Sequence, residues 1–147
     1  MIMKNLKRKS QRGITLIEML VVVVIIGLFV GLVGLNMFGK AETAKRAAAR
    51  ANLSTFSQAL GLYKLDVGTY PTTEQGLQAL RVKPEDASQW AGPYLKADIP
   101  LDPWNHPYLY KYPGDHGEEP DIISLGADGQ PGGEKNNADI VSWNNEK

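Results

Sequence analysis

An apolar segment constrains this chain more than any other feature. No ionisable residue occurs from Met19 to Gly39, and at about 1.5 Å of rise per residue a helix of that length spans the roughly 30 Å hydrocarbon core of a bilayer. The first proline in the chain is Pro71. We therefore predict one continuous helix from residue 14 to about residue 66, whose first part, residues 14–39, spans the membrane.

The residues before this segment form an unusual junction. A basic leader precedes Gly13, and Glu18 is the one ionisable residue between Ile14 and Gly39. A carboxylate near the end of a membrane segment costs about 2.5 to 3.5 kcal/mol on insertion scales, so Glu18 is a candidate functional residue. An ordinary secretory signal does not fit this segment. The apolar region of such a signal is about 7 to 15 residues long and is followed by small residues at a cleavage site, whereas this segment is longer and lacks such a site. A simple membrane anchor explains neither Gly13 nor Glu18.

The run from Arg12 to Leu20 resembles the class III signal of type IV pilins and pseudopilins, although Ile14 stands where that family usually has phenylalanine. The resemblance implies that a prepilin peptidase removes residues 1–13 by cleaving after Gly13, and that the new N-terminus, Ile14, is N-methylated. Cleavage creates an α-amine with a pKa of about 7.7 to 8.0, whose positive charge is costly to bury alone. We expect this amine to pair with Glu18 of a neighbouring copy in a filament core, where a buried ion pair fixes register more than it adds stability.

The net charge and the cysteine content characterise the chain after residues 1–13 are removed. The chain has 16 basic and 16 acidic residues, and residues 1–13 hold five of the bases, so eleven bases remain against sixteen acids after processing and the net charge is −5. The basic leader favours a cytoplasmic N-terminus by the positive-inside rule. We therefore expect a single pass through the bacterial inner membrane, with residues 40–147 forming one periplasmic globular domain that includes the second half of the helix. The absence of cysteine leaves that domain without disulfides.

Three patterns predict that the globular domain is of the α+β class. An apolar stripe at helical spacing predicts that the long helix packs on a sheet; its members are Leu53, Phe56, Leu60 and Tyr63. Thr72 and Gln75 have the spacing of a capping box, so we predict a second short helix there, with Leu77 and Leu80 facing inward. Three segments of strand length, residues 108–112, 121–125 and 139–143, are bounded by Gly, Pro and Asn. The expected fold is a long N-terminal helix packed on a small antiparallel sheet.

The loop at residues 125–139 concentrates oxygen ligands on a glycine-rich backbone. Carboxylates, amides and backbone carbonyls suit a hard cation such as calcium, which takes about 6 to 8 oxygens. The run does not match the EF-hand pattern, and a solvated turn rich in Gly, Asn and Asp has the same composition. Spacing alone therefore leaves both interpretations open.

Further motifs extend the resemblance over nearly the whole processed chain, which is similar to the major pseudopilins of type II secretion systems. These motifs are Tyr70–Leu80, Gly92–Leu95, Asp102–Trp104, Pro113–Gly117, Ser124–Gly129, and Asp139-Ile140 with Trp143. The resemblance implies a type IV pilin-like fold in which a calcium ion replaces the disulfide of many pilins. It also implies the calcium ligands, which are the backbone carbonyls of Leu125 and Gln130, the carboxylates of Asp128 and Asp139, and an oxygen of Asn136. Asn105 departs from the family's usual glycine, and asparagine tolerates left-handed backbone better than most residues.

The resemblance implies a structural function. Such a subunit polymerises into a short periplasmic filament that drives folded proteins across the outer membrane. The implied partners are further copies of the chain, minor pseudopilins, an inner-membrane assembly platform and the prepilin peptidase. The alternatives are a competence pseudopilin for DNA uptake and an adhesive type IV pilus subunit.

Enzymatic activity and nucleic-acid binding are not expected. His106 and His116 stand in loop sequence, cysteine is absent, and no serine has the setting of a nucleophile elbow. The processed chain is acidic and has no basic patch interleaved with aromatic residues, which disfavours binding to a phosphate backbone.

Overall fold

The computed structural model describes residues 13–144, except for the side chains of residues 33–38. The chain divides into two compact units, with the boundary between Gly39 and Lys40. Its elements are α1 (Leu16–Val67), a first 3₁₀ helix (Gly76–Leu80), β1 (Leu109–Lys111), β2 (Asp121–Ser124), a second 3₁₀ helix (Lys135–Asn137) and β3 (Ile140–Val141). The continuous helix and the α+β class are confirmed. The predicted leader lies outside the described residues, apart from Gly13.

The first unit holds the N-terminal part of α1. Thr15 precedes the helix, and its Oγ1 accepts a hydrogen bond from the backbone N–H of Glu18 at 3.3 Å. This contact satisfies one N–H of the first turn, where the helix dipole also favours the negative charge of Glu18. Every side chain from Ile14 to Leu32 is exposed in the single chain.

No helix formed by the described residues is long and apolar enough to cross a membrane. The predicted span over residues 14–39 includes the side chains of residues 33–38, which lie outside the described set, and it stays a prediction.

The second unit is built around the inward face of α1. The predicted stripe is confirmed, because each of its members exposes 3% or less of its surface; they are Leu53, Phe56, Leu60 and Tyr63. The ring of Phe56 meets the ring of Tyr108 edge to face at 5.1 Å. These side chains share one core with Ile122 and Ile140 from the sheet. Burial of the stripe is therefore what joins the helix to the strands.

The sheet has the order β1-β2-β3, and both strand pairs are antiparallel. Tyr110 pairs with Ile122, and Ser124 pairs with Ile140. The three predicted strands are all present, but each is shorter than expected. Ile122 and Ile140 point into the core, where they are 0% and 3% exposed.

The predicted capping box is present in full. The N–H of Thr72 donates to Oε1 of Gln75 at 2.9 Å, and the N–H of Gln75 donates to Oγ1 of Thr72 at 3.3 Å. The helix that follows is a short 3₁₀ helix, because Gly76 has a φ of 59°, in the left-handed region, and a regular α-helix does not continue through such a residue. Leu77 and Leu80 face inward as predicted.

Asn105 adopts the conformation expected of a residue that replaces glycine. Its φ is 69°, and its N–H donates to the carbonyl of Asp102 at 2.9 Å. The turn therefore keeps left-handed geometry without glycine, which asparagine tolerates better than most residues.

We expect Leu60→Ala to lower the free energy of unfolding of the second unit by about 2 to 5 kcal/mol, because it opens a cavity in the core. Chemical denaturation of a fragment that starts at Lys40 measures the effect. Leu65→Ala is the matched control, since Leu65 lies on the same helix and is 80% exposed; its change should stay within about 0.5 kcal/mol. Equal effects of the two substitutions would contradict the assigned core.

Candidate functional site

The predicted processing junction lies where irregular backbone meets α1. Gly13 and Ile14 precede the helix, and both are exposed. A Cβ placed on Gly13 would have no described heavy atom within 4 Å. The peptide bond between the two residues is therefore accessible in the single chain, as cleavage at that bond requires.

Glu18 lies in the first turn of α1 and is exposed. Among residues 13–144, the described ion pairs do not include its carboxylate. The carboxylate is therefore available to a positive group outside the single chain.

The 125–139 loop joins β2 to β3, and the antiparallel pairing of these strands brings its two ends together. Across the loop, the N–H of Ala127 donates to the carbonyl of Asn136 at 3.3 Å. Gly132 and Asp139 are joined twice: the N–H of Gly132 donates to Oδ2 of Asp139 at 2.9 Å, and the N–H of Asp139 donates to the carbonyl of Gly132 at 3.1 Å. The loop is thus closed by its own hydrogen bonds.

The second carboxylate oxygen of Asp139 fits a cation site. Whereas Oδ2 accepts a hydrogen bond from Gly132, Oδ1 is buried and has no hydrogen-bond partner among the residues described. A buried anionic oxygen without a donor or a cation carries a desolvation cost. A cation at Oδ1 would remove that cost, so the residue suits the role of a calcium ligand.

The other four expected ligands are distributed over the same loop. Leu125 follows β2 directly, and Asp128 accepts a hydrogen bond from the N–H of Gln130 at 3.1 Å through Oδ1. Asn136 lies in the second 3₁₀ helix. Within the described part of the chain, no three His, Asp or Glu side chains cluster in a way that could hold a metal. A calcium ion at this loop would therefore depend on two carboxylates supplemented by amide and carbonyl oxygens.

Two glycines with left-handed backbone let the sides of the loop approach each other. A Cβ on Gly126, whose φ is 66°, would lie 3.0 Å from the carbonyl oxygens of Asn137 and Ala138. A Cβ on Gly133, whose φ is 80°, would lie 2.5 Å from the carbonyl oxygen of Asn137. A side chain at either glycine would displace carbonyls beside the expected ligands.

Asp102 is a buried carboxylate that the sequence did not single out as a site residue. It is 3% exposed, and it accepts hydrogen bonds from the N–H of Trp104 at 3.0 Å, the N–H of His106 at 2.8 Å and Oγ of Ser124 at 2.7 Å. Three donors compensate the burial of its charge. Asp102 therefore fixes the 102–106 turn to the end of β2, where the 125–139 loop begins. The signals in the sequence are the turn composition of Asp-Pro-Trp-Asn and the family motif Asp102–Trp104, and neither indicates burial.

His106 connects the 102–106 turn to the 125–139 loop. A Cβ on Gly129 would lie 2.8 Å from its Nε2 atom, so the imidazole ring packs directly on the glycine. Its Nδ1 atom lies 3.8 Å from Oδ2 of Asp102. The residue supports the loop between Asp128 and Gln130, which is a structural role.

The part of α1 with which the second unit begins contacts both the 102–106 turn and the 125–139 loop. Nε1 of Trp104 donates to Oε2 of Glu42 at 3.0 Å, and this hydrogen bond lowers the pKa of Glu42. Nη1 of Arg46 donates to the carbonyl of Ala138 at 2.7 Å. One helical segment therefore positions two loops that are far apart in the sequence.

His116 also has a structural setting. Its ring stacks on Trp143 with centroids 3.7 Å apart, and its Nδ1 lies 2.8 Å from Oδ2 of Asp121, which is 4% exposed. These contacts tie the end of the chain that follows β3 to the connection between β1 and β2.

Two family models match the chain. The model described as type II secretion system (T2SS), protein G, matches residues 36–143. The model described as the prokaryotic N-terminal methylation motif matches residues 8–34. The first match covers nearly all of the second unit, and the second match covers the junction around Gly13 and Glu18.

Individual relatives are similar over most of the chain. Type II secretion system core protein G of Vibrio cholerae is 45% identical over 141 residues, which cover 94% of this chain and 95% of that protein. The protein of the same name from Pseudomonas aeruginosa is 44% identical over 144 residues, covering 95% of this chain and 100% of that protein. The crystal structure of the major pseudopilin from the type 2 secretion system of enterohaemorrhagic Escherichia coli aligns with a TM-score of 0.59 and 36% identity, over 74% of this chain and 94% of that one.

Proposed function

The chain belongs to the type II secretion system protein G family, and on that premise we propose that it polymerises into a periplasmic filament that drives export of folded proteins across the outer membrane. It is a pseudopilin, a structural subunit of the secretion machinery, and not an enzyme. The observation that carries the proposal is the uncovered apolar surface of α1, where every side chain from Ile14 to Leu32 is exposed. A helix that is apolar on all sides is covered by lipid or by protein. Lipid covers it before assembly, and neighbouring copies cover it in the filament.

Processing at Gly13 converts the membrane-inserted precursor into an assembly subunit. The methylation-motif match over residues 8–34 supports this step, as does the exposed, irregular backbone at the junction. The partners in this scheme are the prepilin peptidase, the inner-membrane assembly platform, minor pseudopilins and further copies of the chain.

Intact-mass analysis of filaments sheared from cells tests the processing step. We expect the mass of residues 14–147 with one added methyl group. A bulky substitution such as Gly13→Leu should block cleavage, because the peptidase must accommodate the residue before the scissile bond. Assembled material that retains Met1 would contradict this assignment.

We assign Glu18 as the partner of the Ile14 α-amine of a neighbouring copy. The carboxylate has no ion-pair partner among the described residues, and cleavage creates an amine that cannot be buried alone at low cost. In a filament core the two groups neutralise each other. Removing one partner of such a pair leaves an uncompensated buried charge, which costs about 3 to 5 kcal/mol.

Glu18→Ala should leave the chain inserted and cleaved but unable to form filaments efficiently. In a deletion strain, the wild-type gene should restore release of a specific exported protein to the medium, and Glu18→Ala should not. Glu18→Asp, which keeps the charge on a shorter side chain, is the matched control and should retain part of the activity. Wild-type filament yield from Glu18→Ala would contradict the pairing. A deletion that abolished transformation or adhesion while secretion continued would instead favour a competence or adhesive subunit.

Calcium is the proposed ligand of the 125–139 loop. The support is the buried, unpartnered Oδ1 of Asp139 on a loop that its own hydrogen bonds close. With two carboxylates, the site resembles extracellular modules that bind calcium at about 10⁻⁴ to 10⁻³ M. Such an ion joins β3 to the preceding turn in a domain that has no disulfide.

Thermal melts of residues 40–147 should shift upward with calcium and downward with chelator. Binding to the native state alone adds about 2.7 kcal/mol at a hundredfold excess over the dissociation constant. Asp128→Ala and Asp139→Ala should each abolish the shift, whereas Glu134→Ala, at an exposed position of the same loop, should keep it. An unchanged melting temperature between saturating calcium and excess chelator, in protein first shown to be metal-free, would remove the metal site.

A further inference from the structure

We propose that the second unit carries a contact between copies in which two leucines of one copy enter a largely apolar groove of the next. The leucine ridge is Leu62 and Leu65, on the outward face of α1. The β1 groove lies between the first 3₁₀ helix and β1, with Leu101 and Leu109 at its surface. This inference rests on the proposed polymerisation of the chain and specifies one of its contacts.

The described residues of the chain leave the leucine ridge uncovered. Leu62 is 54% exposed and Leu65 is 80% exposed. Most outward positions that precede them at spacings of three and four are also exposed and uncharged, among them Ala47, Ala51, Ser54 and Gln58, whereas Arg50 is exposed and charged. The solvent-facing side of a surface helix is normally polar and charged. A mostly uncharged outward face that ends in two exposed leucines therefore suits contact with protein.

The β1 groove is uncharged along its whole length. It encloses about 370 Å³ and is lined by uncharged side chains alone, among them Leu77 and Ile99. Leu101 and Leu109 line it and are 54% and 42% exposed. The groove is therefore open to an apolar side chain from outside the single chain.

The exposed large hydrophobic residues of the second unit concentrate at these two surfaces. Among the described residues from Lys40 onward there are six, of which four belong to the ridge and the groove. The other two are Val82 and Trp143, and Trp143 stacks on His116. Covering the ridge and the groove against each other would thus cover four of these six residues.

A second copy of the chain is the occupant that these surfaces fit. A helical filament of identical subunits requires a heterologous contact, in which each copy uses two different surfaces. The ridge is convex and the groove is concave, and the two leucines and the groove lining are uncharged. The charged neighbours of the ridge have contacts within their own chain, because Lys64 lies over the ring of Tyr70 and Asp66 accepts a hydrogen bond from the hydroxyl of Tyr94. The proposed filament supplies copies in a fixed repeat.

The small area of this contact indicates that it forms only after the copies are already held together. Stable protein–protein interfaces bury about 1,200 to 2,000 Å² in total, and two leucines in a groove bury much less. The ridge and the groove should therefore meet only when neighbouring copies are already held together through the N-terminal part of α1. The second unit alone should remain monomeric in solution.

Cysteine cross-linking in cells tests the contact directly, because the chain has no cysteine of its own. Two full-length copies, one with Leu65→Cys and the other with Leu101→Cys, are produced together under filament-forming conditions. Oxidation should yield cross-linked dimers only in this mixture. A mixture of Val82→Cys and Leu101→Cys copies is the matched control, since Val82 is 67% exposed and belongs to neither surface, and it should yield none.

Charge substitution tests the same contact by assembly. Leu65→Glu should lower the yield of sheared filaments by about tenfold, because it places an unpaired charge in an apolar groove. Adding Leu101→Lys to the same chain should restore most of the yield, whereas Val82→Glu should have no effect. All three positions are exposed, so melting temperatures of the variants should match the wild type and exclude misfolding as the cause.

The outcomes separate this inference from the proposed function. Filaments that form normally but give no cross-link between the Leu65→Cys and Leu101→Cys copies would overturn the ridge and groove contact while leaving polymerisation in place. Leu65→Glu filaments at wild-type yield would do the same. Failure of the wild-type chain to form filaments would overturn the proposed function itself.

Discussion

Burial of one face of α1 holds the second unit together. Its strands have two to four residues, and a sheet of such short strands is not stable without a packed face. The chain has no cysteine, so no disulfide compensates. The stripe from Leu53 to Tyr63 provides the surface on which the strands, the 3₁₀ helix and the irregular connection between them assemble. Tyr94 in that connection meets Tyr63 edge to face at 5.6 Å.

Local patterns in the sequence predicted the elements that local interactions determine. The helix, its buried stripe and the capping box between Thr72 and Gln75 follow from spacings of three and four residues, and all are present. The strands are shorter than predicted because backbone groups at their ends bond elsewhere: the N–H of Tyr112 donates to Oγ1 of Thr73, and the N–H of Asp139 donates to the carbonyl of Gly132. Prolines set the outer limits of β1 and β2. Pro107 and Pro113 flank the β1 segment, Pro120 precedes β2, and proline cannot donate a hydrogen bond to a strand ladder.

The contacts that position the candidate site could not be predicted in the same way. Arg46 and Ala138 are 92 residues apart, and Glu42 and Trp104 are 62 apart. No local spacing encodes such a pair, since it exists only after the helix has packed on the sheet. The two aspartates of the 125–139 loop were recognisable from composition and family resemblance. The burial of Asp102 and its support of the loop were not recognisable, because its three donors come from two separate segments.

The hydrogen bonds from the start of α1 to two separate loops have a mechanical consequence. When a subunit is pushed or pulled along α1, the second unit bears the force first at Glu42 and Arg46, and only then at the buried stripe. Because these residues contact the 102–106 turn, which precedes β1, and the carbonyl of Ala138, which precedes β3, the load divides between the two edge strands instead of peeling a single strand away. Hydrogen bonds loaded together resist rupture better than the same bonds broken in sequence. A helix gripped in this way can transmit force through the domain while the small sheet remains intact.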